Sequence, residues 1–157
     1  DRLTALENVA AAAESAGHSR ARAEGIAMAE LSRMGLSHRW NEPADTFAYG
    51  DRRRLEIARA LALSPAFLLL DEPAAGMNPA ETDRLIETLE RLKTERDLGI
   101  LVVEHDMRLI MRISDRMVVL NKGQKIAEGS PETIRTDPTV IEAYIGTKRS
   151  KHDQTGS

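Results

Sequence analysis

Residues 67–73 read Phe-Leu-Leu-Leu-Asp-Glu-Pro, an apolar run that ends in two adjacent carboxylates. A short apolar run bounded by turn residues predicts a buried strand, so Asp71 and Glu72 should stand at its carboxyl end. Polar residues commonly follow a buried strand, and two acids in this place are compatible with that simple role, in which the aspartate caps the next helix. They equally present the hard oxygen ligands that Mg²⁺ prefers. The neighbouring sequence must separate these two interpretations.

Two further blocks flank this strand. Upstream, residues 47–51 read Phe-Ala-Tyr-Gly-Asp and lead into a basic helix predicted over residues 51–63. Downstream, a fully apolar strand is predicted over residues 100–103, buried on both faces, and it leads into Glu-His-Asp at 104–106. An amphipathic helix over residues 80–96 separates the two strands. Strand, helix and strand form a βαβ unit, which predicts a parallel sheet.

Shorter elements complete the pattern. Apolar periodicity with Gly and Pro stops predicts helices over residues 6–16, 19–34, 107–113, 131–136 and 140–145. Polar and turn-forming residues predict a loop over 36–46, and two short strands, 116–120 and 124–128, predict a hairpin around Asn-Lys-Gly. Two parallel strands and a hairpin make a thin sheet, so we expect unpaired strand edges and exposed apolar surface.

Composition limits the function classes. The 157 residues carry a net charge of −3, which gives no global basic footprint for nucleic acid. The absence of cysteine excludes disulfides and cysteine-ligated metals. The longest apolar stretch near the start, residues 9–13, is too short for a transmembrane helix and lacks the form of a signal peptide. A membrane role would therefore come through a partner.

In their order and spacing, the three blocks resemble the second half of an ATP-binding cassette (ABC) ATPase. Only Gly50 strictly matches the common Leu-Ser-Gly-Gly-Gln signature, because Phe47, Ala48, Tyr49 and Asp51 replace the other four residues. The helix that follows, Arg-Arg-Leu-Glu-Ile-Ala-Arg-Ala-Leu, and its distance from the acidic strand support the resemblance.

The resemblance extends to the ATPases of branched-chain amino acid importers. It is carried by the Ala-Tyr-Gly form of the signature, by Gly-Met-Asn-Pro at 76–79 and by Ala-Tyr-Ile-Gly at 143–146. It covers about residues 3–147, nearly the whole chain.

A P-loop of the form Gly-x-x-x-x-Gly-Lys-Ser/Thr is missing from the sequence, since Lys follows none of the ten glycines. The chain also begins at Asp1 rather than Met. From these two observations we expect a fragment that begins after the nucleotide-binding loop.

The resemblance implies an α/β fold: a partial P-loop NTPase-like cassette with a helical subdomain, a parallel-sheet core and a C-terminal hairpin and helices. Residues 1–46 would form the helical subdomain region. Residues 47–147 would carry the signature helix, the acidic-strand core, the switch histidine and the C-terminal segment of the family. Residues 148–157 are polar and are predicted to be a disordered tail.

The resemblance also implies roles at the acidic strand. Asp71 would hold Mg²⁺ through water, and Glu72 would polarise the water that attacks the γ-phosphate of ATP. His105 would be the switch histidine that contacts the γ-phosphate. By itself a histidine at a strand end would more simply be a surface residue, and its Val-Val-Glu-His-Asp context favours the functional interpretation.

Two further segments would act across a dimer. Ala48, Tyr49, Gly50 and Asp51 would meet the ATP held by the opposite subunit, with a helix N-terminus directed at the γ-phosphate. Asp51 has the alternative role of capping that helix. Asn78 would belong to the D-loop, which crosses the dimer interface, and the same Gly-Met-Asn-Pro turn is also typical of a helix start.

The implied protein is an ATP hydrolase that uses ATP and Mg²⁺, although the chain by itself is expected to be inactive. Its implied partners are a second ATPase subunit, in a homo- or heterodimer, and integral membrane permease subunits. No nucleic acid is implied. It would lie peripherally on the cytoplasmic face of the inner membrane, and residues 3–40 would approach the permease.

Two other functions remain open. One is a truncated, non-catalytic module that binds a permease or a partner ATPase, which the missing P-loop favours because the phosphates would lose their main cradle. The other is a lobe of a chromosome-maintenance or repair ATPase. That class expects a long heptad coiled coil before the signature, and residues 6–34 are too short and too rich in alanine for one.

Overall fold

The computed structural model describes residues 2–149, and the chain divides into two compact units, Asp1–Arg112 and Ile113–Ser157. The first unit contains five α-helices and two strands: α1 (Ala5–Ser15), α2 (Arg20–Arg33), α3 (Tyr49–Leu61), β1 (Phe67–Asp71), α4 (Pro79–Glu95), β2 (Gly99–Val103) and α5 (Met107–Ile113). The second contains β3 (Met117–Asn121), β4 (Gln124–Gly129), α6 (Pro131–Thr136) and α7 (Pro138–Arg149).

A capping box starts α1. The Thr4 hydroxyl accepts a hydrogen bond from the Glu7 backbone N–H at 3.2 Å, and the Glu7 carboxylate accepts one from the Thr4 N–H at 2.8 Å. The Thr4 N–H is the main reason that the pKa of Glu7 lies below its ordinary value. Two N–H donors at the helix start are thereby satisfied, as the Thr-x-x-Glu spacing allows.

The helices α1, α2 and α3 pack against one another through small side chains. Alanines at 5, 13, 23, 27 and 58 are fully buried, and such small residues allow close approach of the helix axes. The larger buried side chains of this region are Val9, Leu31, Met34, Leu36, Phe47, Leu55, Ile57 and Leu61. The alanine-rich sequence over residues 6–16 is therefore a packing surface.

The segment predicted to be a loop, residues 36–46, contains two 3₁₀ helices, Ser37–Arg39 and Ala44–Thr46. Each is closed by short-range bonds, such as that from the Thr46 N–H to the Pro43 carbonyl at 3.0 Å. Three-residue helices are too short to leave a periodic sequence signal, which is why the prediction missed them.

The signature helix begins earlier than the sequence predicted. It starts at Tyr49 rather than at residue 51, with Ala48 as an extended N-cap whose side chain makes no cap hydrogen bond. The prediction left Tyr49 and Gly50 outside the helix, because glycine favours turns over helix interiors. In the structure both belong to the first helical turn.

The predicted βαβ unit is confirmed. Strands β1 and β2 pair in parallel, with Leu69 opposite Leu101 and Asp71 opposite Val103. The connection contains α4, whose predicted apolar stripe is fully buried: Leu85, Ile86, Leu89 and Leu92. This stripe is the main hydrophobic contribution of α4 to the core.

One prediction about β2 is wrong. The strand was expected to be buried on both faces, yet Leu101 and Val103 are each 60% exposed. Phe67 and Leu69 of β1 lie on the same side of the sheet as these two residues and are 71% and 69% exposed. Leu68, on the opposite side of the sheet, is buried. An apolar strand sequence shows what a strand can bury, but the neighbouring elements decide what is covered. The expected exposure of apolar surface is confirmed.

The second unit contains the predicted hairpin. Strands β3 and β4 pair antiparallel around Lys122 and Gly123, both of which have positive φ, as a two-residue hairpin turn requires. Ser130 caps α6 by accepting a hydrogen bond from the Thr133 N–H. Helix α7 extends to Arg149, beyond the predicted end at residue 145. The predicted tail began at residue 148, but residues 148 and 149 belong to α7. The rest of the predicted tail, residues 150–157, lies outside the described residues.

No helix among residues 2–149 has both the length and the apolar character that a membrane crossing requires.

Candidate functional site

The site is built where β1 and β2 end side by side. Parallel strands place their carboxyl ends at one edge of the sheet, which is the usual location of ligand sites in open α/β sheets. The Glu72 N–H donates to the Val103 carbonyl at 2.8 Å and extends the ladder one residue past β1. The segments that follow the two strands therefore start from neighbouring positions.

Glu72 lies in a strained turn. Its φ is +43°, in the left-handed region that residues with a side chain seldom adopt. Its carbonyl accepts a hydrogen bond from the Ala75 N–H at 3.0 Å, so the turn closes directly after the acid. Strain of this kind persists where the surrounding structure fixes the backbone, and it concentrates at functional sites.

His105 faces Glu72 across the sheet edge. Its Nδ1 lies 3.5 Å from Oε1 of Glu72, and the two side chains are 75% and 55% exposed respectively. The same Nδ1 is 3.5 Å from Oε2 of Glu104. The imidazole thus stands between two carboxylates, one open to solvent and one buried.

Glu104 is a residue at this edge to which the sequence analysis assigned no role. Its side chain is only 1% exposed, and its two oxygens accept three backbone hydrogen bonds. The donors are the N–H groups of Ala74 at 3.0 Å, His105 at 2.7 Å and Asp106 at 3.1 Å. The alternation of side chains along the strand could have indicated the burial of Glu104. Residues 100, 102 and 104 share one face of the strand, and it is the face opposite to the exposed Leu101 and Val103.

Asp71 ends β1 with an exposed side chain, beside the backbone of Val103. Within residues 2–149 no cluster of three or more acidic, histidine or cysteine side chains is arranged to hold a metal ion. A single carboxylate is nonetheless a fitting donor for Mg²⁺, which keeps several waters and takes its other ligands from phosphate oxygens. The donor set at this edge therefore fits Mg²⁺ bound together with a nucleotide.

The signature residues lie beside the turn that follows Glu72. The Tyr49 ring packs on Gly76, where an added Cβ would meet it at 3.3 Å, and Gly76 has a φ of +73°. Gly50 is buried against Glu81, whose carboxylate oxygen would lie 3.1 Å from an added Cβ. Both glycines permit contacts that a side chain would obstruct.

Asp51 is held by two arginines and does not cap the helix. Its carboxylate pairs with Arg39 at 2.7 Å and with Arg54. Arg39 also stacks on the Phe47 ring, with its guanidinium carbon 4.0 Å from the ring centroid. The capping alternative predicted for Asp51 is thus wrong, since Ala48 occupies the cap position.

Asn78 caps α4. Its side-chain oxygen accepts from the Glu81 N–H at 3.0 Å, and the Glu81 carboxylate accepts from the Asn78 N–H at 2.9 Å. The helix-start interpretation of this turn is therefore confirmed. The D-loop role of Asn78 stays a prediction.

The structure brings together some of the predicted site residues and separates others. Glu72 and His105 are in contact, and Asp71 precedes Glu72 at the same edge. Within the described part of the chain, no recorded hydrogen bond or ion pair joins residues 48–51 to these three.

Two family models match the chain. The model described as "ABC transporter" matches residues 1–75, and the model described as "Branched-chain amino acid ATP-binding cassette transporter" matches residues 124–149. Together they include the signature segment, the acidic strand, β4 and the two C-terminal helices.

Curated relatives agree with these matches. The chain is 52% identical over 116 residues to the high-affinity branched-chain amino acid transport ATP-binding protein LivG of Escherichia coli K12, covering 74% of the chain and 46% of the relative. It is 50% identical over the same length to BraF of Pseudomonas aeruginosa, with the same coverage. A probable ABC transporter ATP-binding protein of Azorhizobium caulinodans is 37% identical over 144 residues, 92% of the chain and 51% of the relative. The chain spans about half the length of these proteins.

Solved structures confirm the α/β cassette fold. An ATP-binding cassette of an ABC transporter in its ADP conformation superposes with a TM-score of 0.76 at 28% identity, over 92% of the chain and 63% of that structure. A nucleotide-free cassette gives 0.75 at 26% identity, over 91% and 63%.

Proposed function

Because the chain belongs to the ATP-binding cassette family, in its branched-chain amino acid transport group, we propose that it forms part of an ATP-hydrolysing subunit that energises the uptake of branched-chain amino acids. The observation that carries the proposal is the approach of Glu72 and His105, 3.5 Å apart, at the carboxyl edge of a parallel sheet. The site chemistry suits phosphoryl transfer to water, which depends on positioning and electrostatic stabilisation.

Glu72 is the proposed base. Its carboxylate is largely exposed and anchored through a strained turn, so it is available to accept a hydrogen bond from a water molecule. His105, also exposed, would donate a hydrogen bond to phosphate oxygens of the nucleotide. Both residues would orient the attack of water on the γ-phosphate.

Asp71 is the proposed contact to the metal, through water. A bound Mg²⁺ would neutralise charge on the phosphate oxygens. The exposed carboxylate at the end of β1 can accept hydrogen bonds from water molecules of such an ion.

The start of α3 is the proposed contact to a second ATP. The N-terminus of α3 has no side-chain cap at Ala48, so its first N–H groups remain available to an anion. The two arginines that hold Asp51 offset the negative charge next to this helix start. We therefore propose that residues 48–51 bind the γ-phosphate held by a second ATPase subunit, with Asn78 in the neighbouring D-loop.

The proposal implies an assembly. Two ATPase subunits would close on two nucleotides and act on integral membrane permease subunits at the cytoplasmic face of the membrane. Since the sequence has no P-loop, the cradle for the β- and γ-phosphates would have to come from sequence outside these 157 residues.

The test is Glu72→Gln in a complete cassette subunit that carries this chain. The amide cannot act as a base, so steady-state ATP hydrolysis should fall by at least about 100-fold while ATP-dependent dimerisation persists. Glu87→Gln, which changes an exposed glutamate on α4, is the matched control and should hydrolyse ATP normally. Unchanged hydrolysis by Glu72→Gln would refute the role of Glu72, and a lack of hydrolysis by the unsubstituted protein would refute the function.

A further inference from the structure

Glu104 carries chemistry that the proposed function does not use. It is a carboxylate removed from solvent, and burial of a charge is costly unless the group is fully hydrogen-bonded. Its recorded partners are three backbone N–H groups and the edge of the His105 imidazole. The three backbone N–H groups supply hydrogen bonds to both carboxylate oxygens, as a buried polar group requires.

We propose that Glu104 is a positioning residue that fastens the turn after β1 to the turn after β2 and thereby sets the approach of Glu72 to His105. The inference rests on the proposed function, because it assigns a role within the same hydrolytic site. It concerns the backbone on either side of the reacting groups rather than contact with ATP or water.

The two oxygens of Glu104 serve different segments. Oε1 accepts a hydrogen bond from the N–H of Ala74, which lies two residues beyond Glu72 in the sequence. Oε2 accepts from His105 and Asp106, which directly follow Glu104 in sequence. One planar group therefore connects the two turns that leave adjacent parallel strands.

The hydrogen bond between Ala74 and Glu104 holds a turn whose backbone is strained at Glu72. Glu72 is bonded to β2 through its own N–H, and it holds a left-handed φ before the turn continues to Ala74. The bond from Ala74 to Glu104 fixes the far side of this turn. Without it, the turn could relax toward an ordinary φ, and the Glu72 carboxylate would move relative to His105.

The position requires two acceptors. A glutamine has the same shape, but only one of its two terminal atoms can accept, and its NH₂ group would face an N–H donor. If its oxygen serves His105 and Asp106, the Ala74 N–H loses its partner. Glu104→Gln should therefore release the turn after Glu72 without creating a cavity.

A purely structural role is the competing explanation, and Glu30 provides the matched control. Glu30 is another buried carboxylate, paired with Arg33 at 3.2 Å and with Arg96, on the α2 side of the first unit. Glu30→Gln also removes a buried charge, so it should lower stability without altering the hydrolytic site.

The first experiment measures steady-state ATP hydrolysis of Glu104→Gln and Glu30→Gln in the complete cassette subunit. For Glu104→Gln we expect kcat to fall about 10- to 100-fold, since small misplacements of reacting groups have effects of this size. The KM for Mg-ATP should stay within about threefold, because ground-state binding is not the function assigned to Glu104. Glu30→Gln should keep the kcat of the parent protein.

The second experiment needs no turnover. Amide hydrogen exchange of Ala74 should be faster in Glu104→Gln than in the parent protein, because this N–H loses its acceptor, while the exchange of α4 stays unchanged. Glu30→Gln should leave the exchange of Ala74 as it is. If the parent protein failed to hydrolyse ATP, the proposed function would fall, and the exchange measurement would still decide whether Glu104 joins the two turns.

Three outcomes would overturn the inference. The first is a kcat for Glu104→Gln within about twofold of the parent. The second is unchanged exchange at Ala74. The third concerns the case in which Glu104→Gln does not fold. Glu104→Asp, which keeps the charge but shortens the side chain, is then tested in its place, and a folded and fully active Glu104→Asp protein would overturn the inference. A low kcat for a folded Glu104→Asp would support the inference, because the shorter side chain cannot span both turns.

Discussion

Asp51 illustrates how a single residue departs from its family signature and is accommodated. The common signature has glutamine at this place, whereas this chain has a carboxylate in the first turn of α3. The carboxylate is mostly buried between Arg39 and Arg54, and Arg54 also donates to the Met34 carbonyl at 3.1 Å. Asp51 therefore ties the start of the signature helix to the end of α2 and to the first 3₁₀ helix, in addition to any contact with nucleotide.

We predict that Asp51→Asn lowers the free energy of unfolding by about 1–3 kcal/mol, because it weakens hydrogen bonds between charged groups and removes the carboxylate that pairs with the partly buried Arg54, whereas Arg39 keeps its ion pair with Glu42. Urea unfolding of the 157-residue chain measures this change. Asp83→Asn is the control, since it removes an ion pair with Arg108 in which both side chains are nearly half exposed. It should cost no more than about 0.5 kcal/mol. Equal costs would contradict the anchoring role of Asp51.

At the scale of elements, the start of α4 combines a structural cap with a proposed functional loop. Asn78 and Glu81 form a reciprocal capping box, and Pro79 takes the first helical position, where its missing N–H has no cost. The Glu81 carboxylate also lies against Gly50 at the start of α3. Capping at α4 and the approach of the signature helix are thus linked through one carboxylate.

We predict that Asn78→Ala destabilises the chain by about 1 kcal/mol, because the Glu81 N–H loses its acceptor. Asn78→Asp should leave stability nearly unchanged, since a carboxylate accepts the same hydrogen bond and suits the N-terminus of a helix. The midpoint of urea unfolding compares the three proteins. If Asn78→Asp were as unstable as Asn78→Ala, the cap geometry would be wrong. Loss of ATP turnover in a stable Asn78→Asp protein would point to the D-loop role instead.

At the scale of the molecule, the uncovered face of the β1–β2 sheet exposes four large apolar side chains. Phe67, Leu69, Leu101 and Val103 are each at least 60% exposed, and pairing across the strands makes them neighbours on one face. A contiguous apolar surface of this kind marks an interaction site or an aggregation risk. The opposite face, which includes Leu68, belongs to the core.

We predict that the isolated chain binds the dye ANS through this face and that a double substitution, Leu69→Lys with Leu101→Glu, strongly reduces the dye fluorescence. The two residues are cross-strand partners, so opposite charges there should be tolerated and the circular dichroism spectrum should not change. Leu85→Lys is the contrasting variant, because it places a charge at a fully buried position of α4 and should unfold the chain. Undiminished dye binding by the double variant would locate the apolar surface elsewhere.

The secondary structure followed largely from local sequence. The apolar run at 67–70, the stripe of α4 and the turn at Lys122 and Gly123 each fix an element through short-range sterics and periodicity, and all three were predicted in place. The fold class and the family also followed from motifs within short stretches. The roles of Asp71, Glu72 and His105 remain predictions that the proposed experiments test.

Only the tertiary structure decided burial and partners. The sequence of β2 is apolar throughout, so it could not show that Leu101 and Val103 are exposed. The partners of Glu104 include Ala74, 30 residues away in sequence, and Asp51 pairs with Arg39 at a separation of 12. Periodicity and propensity act over a few residues and therefore determine elements. Solvent exclusion and hydrogen-bond satisfaction depend on groups that only the folded chain brings together.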